Sequence, residues 1–337
     1  MKKHVNIPIF IPHYGCPNAC VFCNQKKITG KQCYNKDIVI NEIKENLATL
    51  DKDNTEVELA FFGGSFTAIP REEMIGLLEI SDVFLSSGDI ESVRLSTRPD
   101  AITPEILDIL HSHGVKTIEL GLQSFSDTVL TASQRGHTAA QSEQACKMIK
   151  EHGFKLIGQM MVGLPLSTLR DEIMTAQTIC ELGCDGARIY PTVVFPETEL
   201  MDMMNCGSYT PLTNEDAIDR SSKVLSVFAS AGVPVIRIGL CSNETLKEQS
   251  LKNNYHPSIG ERILCRYYRM EMDKLLADTS PVKGSTAIFK VANGKISQAV
   301  GQKRENILYL SEKYKLSDIK VIQDCNLKAF ELLLAIN

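Results

Sequence analysis

No stretch of about 18 apolar residues runs through this chain without a charge, so a membrane-spanning helix is not expected. The first residues carry two lysines and then a short apolar run broken by Pro8 and Pro12, too interrupted for the core of a secretory signal. Low-complexity segments and repeats of fixed period are also missing, which sets aside disordered and solenoid classes. A paired cysteine framework is missing too. Of eleven cysteines, three crowd one short loop and eight are scattered through apolar or helical surroundings. A disulfide-stapled secreted scaffold does not look like that, and the expectation is a soluble, cytoplasmic protein in a reducing compartment. What is present is ordinary for a globular protein: 337 residues, 43% of them apolar, enough for a barrel-sized domain and a smaller one.

The crowded loop is CPNACVFC, which sets Cys16, Cys20 and Cys23 at CxxxCxxC spacing directly after the apolar run NIPIFIP. Thiolates are the usual ligands of iron–sulfur clusters, and three of them on a four-iron cluster leave one iron without a protein ligand. An open coordination position is what distinguishes a catalytic metal site from a structural one. Two other readings of the loop are weaker. A structural zinc site could draw on His13 as fourth ligand, but such sites favour paired CxxC knuckles and no second pair follows. A disulfide cannot pair off an odd trio.

Strand-like and helix-like runs alternate after that loop. DIVINEIKENLATL reads as a helix with Asp37 as its N-cap, VELAFFGG as a buried strand, and REEMIGLLEISDVFL as a helix with Pro70 at its start. ESVRLSTRP is a strand, and TPEILDILHSHG a helix capped by Thr103, with Pro104 at its first position and Gly114 as its stop. TIELGLQS, KLIGQMMVGLP and DGARIYPTVV continue the strands, with helices between them. Six βα units in succession predict a parallel sheet, an α/β fold whose economical form is a partial (β/α)6 barrel of the TIM type. The expected organisation is a barrel over residues 1–194, an extension over 195–282 that packs on its open edge, and a small α+β module over 283–337.

Strands of a closed parallel barrel are usually apolar on both sides, but here one side is polar. Arg94, Ser96 and Arg98 alternate on one strand, Thr117, Glu119, Gly121 and Gln123 on the next, and Arg188, Tyr190 and Thr192 on the last. Charges facing a barrel interior need a ligand or one another. Both readings stay open: an interior site, or internal ion pairs among the arginines and Glu119. Gly63-Gly64-Ser65 ends the second strand, where missing side chains let backbone groups approach a ligand.

At these residues the chain resembles the radical-SAM superfamily. The resemblance implies a four-iron four-sulfur cluster on Cys16, Cys20 and Cys23 whose free iron binds S-adenosylmethionine, with reductive cleavage to a 5′-deoxyadenosyl radical and an external electron donor to drive it. It also implies that Gly63, Gly64 and Ser65 hold the methionyl amino group, that Glu119 and Gln123 supply ribose and methionyl contacts, and that GQMMVGLP, with Gln159 and Gly163, contacts adenine. Arg98 joins these cofactor candidates from the polar face, and Arg188 and Tyr190 are candidates for catalysis.

The longer words FFGGSFTAIP, LSTRPDAI, IELGLQSFSDTVLTASQRGHT, GFKLIGQMMVGLP and DGARIYPTVV resemble the radical-SAM half of the Elongator catalytic subunit family, which modifies wobble uridine in tRNA. The likeness covers about residues 5–240. Two departures limit it: the first two cysteines stand closer together here, and nothing after residue 245 offers a glycine-rich acetyl-CoA loop. Fold and cofactors are implied; acetyl transfer is not.

The tail differs in charge. Residues 283–328 hold nine lysines and arginines against four acidic residues, although the whole chain carries −5. GSTAIFKVA reads as a strand, KISQAVGQKRENILYLSEKYK as helical and DIKVIQD as a strand. The layout resembles half of a KH domain, whose GxxG loop clamps a nucleic-acid backbone, with Arg304 at the second glycine's place. Lys303 and Arg304 at a helix start are therefore RNA-binding candidates, against a plain solvated basic loop. The leading expectation is a radical-SAM enzyme acting on RNA, with tRNA as the expected substrate. The alternatives are a small molecule or peptide substrate, or a non-catalytic protein that handles a cluster or haem.

Overall fold

Runs that are apolar on both faces can be buried only in a sheet covered on both sides, and successive runs joined by helices must lie parallel. The computed structural model, which describes residues 3–11, 20–23, 35–51, 53–240 and 254–337, has that arrangement. Its main sheet holds β1 (Lys3–Ile11), β2 (Thr55–Gly63), β3 (Ser92–Thr97), β4 (Val115–Gln123), β5 (Lys155–Val162), β6 (Gly186–Pro191) and β7 (Val235–Ile238). The seven strands are parallel and follow one another across the sheet in sequence order, curling into a half-barrel. Five of them are the strands named from the sequence, and β1 is the apolar run NIPIFIP that precedes the cysteine loop. The seventh comes from the run VPVIRIGL in the extension, which adds itself to the open edge as a hydrogen-bonded strand.

The helices that cover the sheet are α1 (Lys36–Ala48), α2 (Arg71–Ser86), α3 (Pro104–Ser112), α4 (Asp127–Ala132), α5 (Ala139–Glu151) and α6 (Leu169–Glu181). Beyond β6 come α7 (Glu199–Asn205), α8 (Asn214–Ser230) and α9 (Ile259–Thr279). Their starts are chemically marked. Thr103 caps α3, and Thr138 and Thr168 form reciprocal capping boxes on α5 and α6. One expected cap is corrected: α1 is capped by Asn35, whose side chain accepts from the backbone N–H groups of Asp37 and Ile38, while Asp37 lies in the first turn. An acidic residue there still favours the positive helix end, which is why the sequence signal pointed two residues late.

The core lies between sheet and helices. Leu59, Phe61, Leu95, Ile118, Leu120, Leu156 and Ile189 are all fully buried and point outward from the curl. The opposite faces of β3 and β6 are half-buried at Arg94, Ser96, Arg188 and Tyr190, so the polar side read from the sequence is the concave side.

The tail forms a second sheet with order β10-β8-β9, from β8 (Thr286–Val291), β9 (Asp318–Gln323) and β10 (Leu332–Ile336). β8 and β9 are parallel, and β10 is antiparallel to β8. The stretch read as helical, with a helix start at Lys303 and Arg304, forms two helices, α10 (Ile296–Val300) and α11 (Glu305–Tyr314). Gly301 at φ 77°, Lys303 at φ 49° and Arg304 at φ 64° make the break, since left-handed residues cannot continue a right-handed helix. The module packs on α9: the Asn306 amide donates to the carbonyl of Cys265 at 2.9 Å, and the Tyr267 ring meets Phe330 edge-on.

Candidate functional site

The carboxyl ends of β1 to β6 bring the sequence candidates to one edge of the half-barrel, where a parallel sheet exposes its loops. Gly63 closes β2 at φ 108°, and a Cβ there would lie 2.7 Å from the carbonyl oxygen of Ile11, the last residue of β1. Glycine is thus required where the chain leaves β1 for the cysteine loop. Ser65 follows, almost fully buried, and Thr67 bonds both the Thr97 hydroxyl at 2.6 Å and the Ala101 carbonyl at 2.7 Å, tying this turn to the end of β3.

Cys16 lies outside the described residues. Cys20 and Cys23 sit in a tight turn in which the Cys23 N–H donates to the Cys20 carbonyl at 2.9 Å. The turn is fastened at Val21, whose N–H donates to Ser133 at 3.3 Å and whose carbonyl accepts from the Leu200 N–H at 2.8 Å. Val21 itself is buried against Val194, Leu200 and Tyr209. The extension beyond the barrel therefore helps to hold the cysteine loop.

The Cys20 sulfur is buried against two guanidinium groups. Arg135 Nη1 lies 3.2 Å from it and Arg98 Nη1 lies 3.9 Å away. Arg135 Nη2 donates to the Gly121 carbonyl at 2.6 Å, at the point where β4 shifts register before Gln123, which has φ 66° and is buried. Arg98 is fixed by Asp100 through bonds of 2.9 and 3.1 Å and also donates to the carbonyl of Arg135. His137 completes the cluster with a fully buried side chain 3.9 Å from Asp100. Burial, with Arg135 next, pushes its pKa down to about 4, so it is neutral at physiological pH.

Deeper in the concave face the charges pair with one another. Glu119 Oε1 accepts from Arg94 at 2.8 Å and from Arg188 at 2.7 Å, and Glu58 accepts from Arg94 at 2.7 Å and from Thr117 at 3.1 Å. Arg188 donates to the Tyr190 hydroxyl at 3.2 Å and lies over the Phe62 ring, 5.4 Å from its centroid. Phe10, 41% exposed, is tilted against the same ring. Gln159 is half-buried on β5, in register between Gly121 and Arg188.

At the end of β5, Gly163 has φ 83°, its N–H donates to Glu172 at 2.7 Å, and its carbonyl accepts from the Tyr209 hydroxyl at 2.7 Å. Glu172 is buried, which raises its pKa against the pull of Arg220, which bonds it at 2.8 Å. Both polar groups of the Gly163 peptide are thus held by side chains, one from α6 and one from the extension.

Sequence reasoning did not single out Arg135, Asp100, His137, Glu58, Glu172, Arg220 or Tyr209. The only local sign was the polar turn SQRGHT, which places two basic residues two apart between helices. In the extension, Arg262 pairs with Glu215 on α8, and Arg237 Nε donates to the Gly239 carbonyl at 3.2 Å. Lys303 and Arg304 are exposed at the start of α11 and form no ion pair among the described residues. Also among the described residues, no helix is long and apolar enough to cross a membrane.

Comparison with known proteins accords with this geometry. The family model for the Radical SAM superfamily matches residues 10–179, and that for the Radical_SAM C-terminal domain matches residues 184–269. Uncharacterized protein MJ0486 of Methanocaldococcus jannaschii is 30% identical over 228 residues, 64% of this chain and 70% of that protein. Elongator complex protein 3 of Saccharomyces cerevisiae is 27% identical over 203 residues, and the tRNA uridine(34) acetyltransferase of M. jannaschii is 28% identical over 203 residues. Each of these two matches covers 54% of this chain but only 36% and 38% of the relative, little more than a third of its length. The structure of Methanocaldococcus infernus Elp3 with an N-terminal deletion superposes with a TM-score of 0.63 at 19% identity, covering 82% of this chain and 64% of that one, and so shares its fold. Half the chain falls within one family model, over the strands that carry the cysteine loop and the glycine turn: the chain belongs to the radical SAM superfamily, whose enzymes use a four-iron four-sulfur cluster and S-adenosylmethionine.

Proposed function

We propose that this radical SAM enzyme modifies RNA, with tRNA as its substrate class. Cys16, Cys20 and Cys23 would hold the cluster. The donor set fits, because cysteine sulfurs are the usual cluster ligands and the buried Cys20 sulfur accepts N–H bonds from two guanidinium groups. When bound, the cluster supplies the electron that cleaves the sulfonium of S-adenosylmethionine to a 5′-deoxyadenosyl radical, and a separate one-electron donor must provide it.

The chain's own residues bind and orient. Gly63, Gly64 and Ser65 offer backbone groups to the methionyl end, with Arg98 and Gln123 beside them at the ends of β3 and β4. Gln159 and Gly163 line the adenine side, the Gly163 peptide being held by Glu172 and Tyr209. Glu119 offers a ribose contact from a carboxylate already oriented by Arg94 and Arg188.

The observation that carries the substrate reading is the concave face itself. Phe62 under Arg188, with half-exposed Phe10 and Tyr190 alongside, makes a stacking and hydrogen-bonding surface of the kind that receives a splayed base. Arg188 and Tyr190 are the residues we assign to hold the reacting base. The relatives, one of them a tRNA uridine(34) acetyltransferase, support the same substrate class. Acetyl transfer is not part of this proposal.

The three parts would divide the work, residues 1–194 holding the chemistry, 195–282 bracing it and 283–337 gripping RNA through Lys303 and Arg304. The turn that carries them lies beside a hollow of about 430 Å³ against α9. Mass spectrometry of tRNA nucleosides from cells lacking the protein tests the proposal. A missing or incomplete modified nucleoside, restored by the wild-type gene but not by a Cys20→Ala gene, is expected. An unchanged nucleoside profile, with no RNA on the purified protein, overturns it in favour of a small molecule or peptide.

A further inference from the structure

Arg135 is a buried cation, 6% exposed, with no carboxylate in ion-pair reach among the described residues. Its neighbour Arg98 is 2% exposed and takes up the one nearby carboxylate, Asp100, with two bonds. His137 is neutral and offers no negative charge. Burying a guanidinium without a carboxylate is strongly unfavourable, so among the described residues this corner of the fold is arranged to face a negative charge.

The direction in which Arg135 points identifies it. Nη2 is anchored on the Gly121 carbonyl at 2.6 Å, which leaves Nη1 aimed at the Cys20 sulfur at 3.2 Å. Arg98 fixes the same residue from behind by donating to its carbonyl. Gly121 is what permits the approach, since a Cβ at that position would lie 3.3 Å from Arg135 Nη2 and 3.1 Å from the Gln123 amide.

We infer that Arg135 is a positioning residue that donates an N–H hydrogen bond to the Cys20 sulfur of the loaded cluster and thereby raises its reduction potential, with Arg98 adding a weaker contribution from 3.9 Å. One electron added by a reductant places one more negative charge on the cluster and its sulfurs. A fixed donor and a buried positive charge stabilise that reduced form more than the oxidised one, and hydrogen bonds to the sulfurs are among the factors that set these potentials. The inference rests on Cys20 being a cluster ligand, which iron content reads separately; it is independent of the RNA substrate.

The test compares the full chain, reconstituted anaerobically, with its Arg135→Met, Arg135→Lys and Arg98→Met variants. Iron content, an EPR-monitored redox titration without S-adenosylmethionine, and S-adenosylmethionine affinity are measured on each. The expected result is retained iron and a more negative midpoint, largest for Arg135→Met, intermediate for Arg135→Lys and smallest for Arg98→Met. For Arg135→Met the ratio of reduced to oxidised cluster at a fixed potential should fall about tenfold, which is about 59 mV for one electron. A wild-type midpoint in Arg135→Met with iron retained overturns the inference. If its S-adenosylmethionine affinity alone has fallen, the guanidinium serves the carboxylate of that cosubstrate instead. Should Arg135→Met fail to hold iron, the other two variants decide by the same criterion, and unchanged midpoints in both overturn it.

Discussion

The half-barrel holds two arginine pairs that differ in what balances them. Arg94 and Arg188 share Glu119, and Arg94 also bonds Glu58, so the deeper pair is neutralised by the chain. Arg98, just past the end of β3, and Arg135, in the turn between α4 and α5, have one carboxylate between them among the described residues and face a cysteine sulfur. The first pair is structure that a ligand can use; the second, among the described residues, holds more positive than negative charge beside the cysteine loop. A buried charge that the chain satisfies reports on folding, and one that it leaves over reports on a partner.

Removing the partner of the second pair should have the largest effect. With Cys20→Ala or Cys23→Ala, anaerobically purified protein should lose most of its iron, because a cluster cannot be retained on the remaining thiolates. Cys146→Ala should keep it, as that thiol is enclosed in the core between helix and sheet. Wild-type protein carrying stoichiometric zinc and no iron would sink the cluster assignment altogether.

The first pair breaks differently. Glu119→Gln leaves two largely buried guanidinium groups facing an amide, and removing one partner of a buried pair costs about 3 to 5 kcal/mol. Urea unfolding should show that loss. Affinity for S-adenosylmethionine, measured on the folded variant, should fall by about 1 to 3 kcal/mol if the carboxylate also bonds the ribose. Full stability loss with unchanged affinity would make Glu119 a purely structural member of the concave face.

A pH titration sharpens the contrast further, since His137 is enclosed with Arg135, Arg98 and Asp100. Its folded pKa is lowered to about 4, against 6.5 for an ordinary imidazole, so the unfolded chain takes up the proton first as pH falls. Stability is complete above pH 6.5 and is lost progressively toward pH 4, by about 2 kcal/mol at pH 5. Urea midpoints at pH 7 and pH 5 should differ more for wild type than for His137→Gln. Equal differences would remove His137 from the account of acid lability.

Much of this was legible in the sequence because it is periodic or local. Alternating faces on ESVRLSTRP and DGARIYPTVV marked the concave side, and CxxxCxxC and GGS marked the strand ends. The pairing was not legible. Whether Glu119 meets Arg94, Arg188 or a ligand depends on the curl that brings β3, β4 and β6 together, and no spacing along the chain encodes it. The same holds for Arg135, which reaches Cys20 from 115 residues away in the chain. The helix start at Gly301–Arg304 was legible as a loop because it is local, but the left-handed backbone of Lys303 and Arg304 was not, since both have ordinary helix propensity.

The smallest expected effect belongs to a third basic pair, Lys303 and Arg304, which is exposed where the other two are buried. Changing both to Ala should move stability by less than about 0.5 kcal/mol, the usual range for surface positions, and leave iron content and cleavage of S-adenosylmethionine as they were. RNA affinity should weaken alike for all sequences, since phosphate contacts position a strand and do not read it. Its dependence on salt should flatten, because each phosphate contact on a single strand releases roughly 0.7 counterions. Binding measured at several salt concentrations separates this from a lost stacking surface: Phe62→Leu should lower affinity or turnover at every salt concentration without altering the slope. If the double variant keeps the wild-type slope, the exposed pair is a solvated face, and any grip on RNA must come from the concave face of the half-barrel alone.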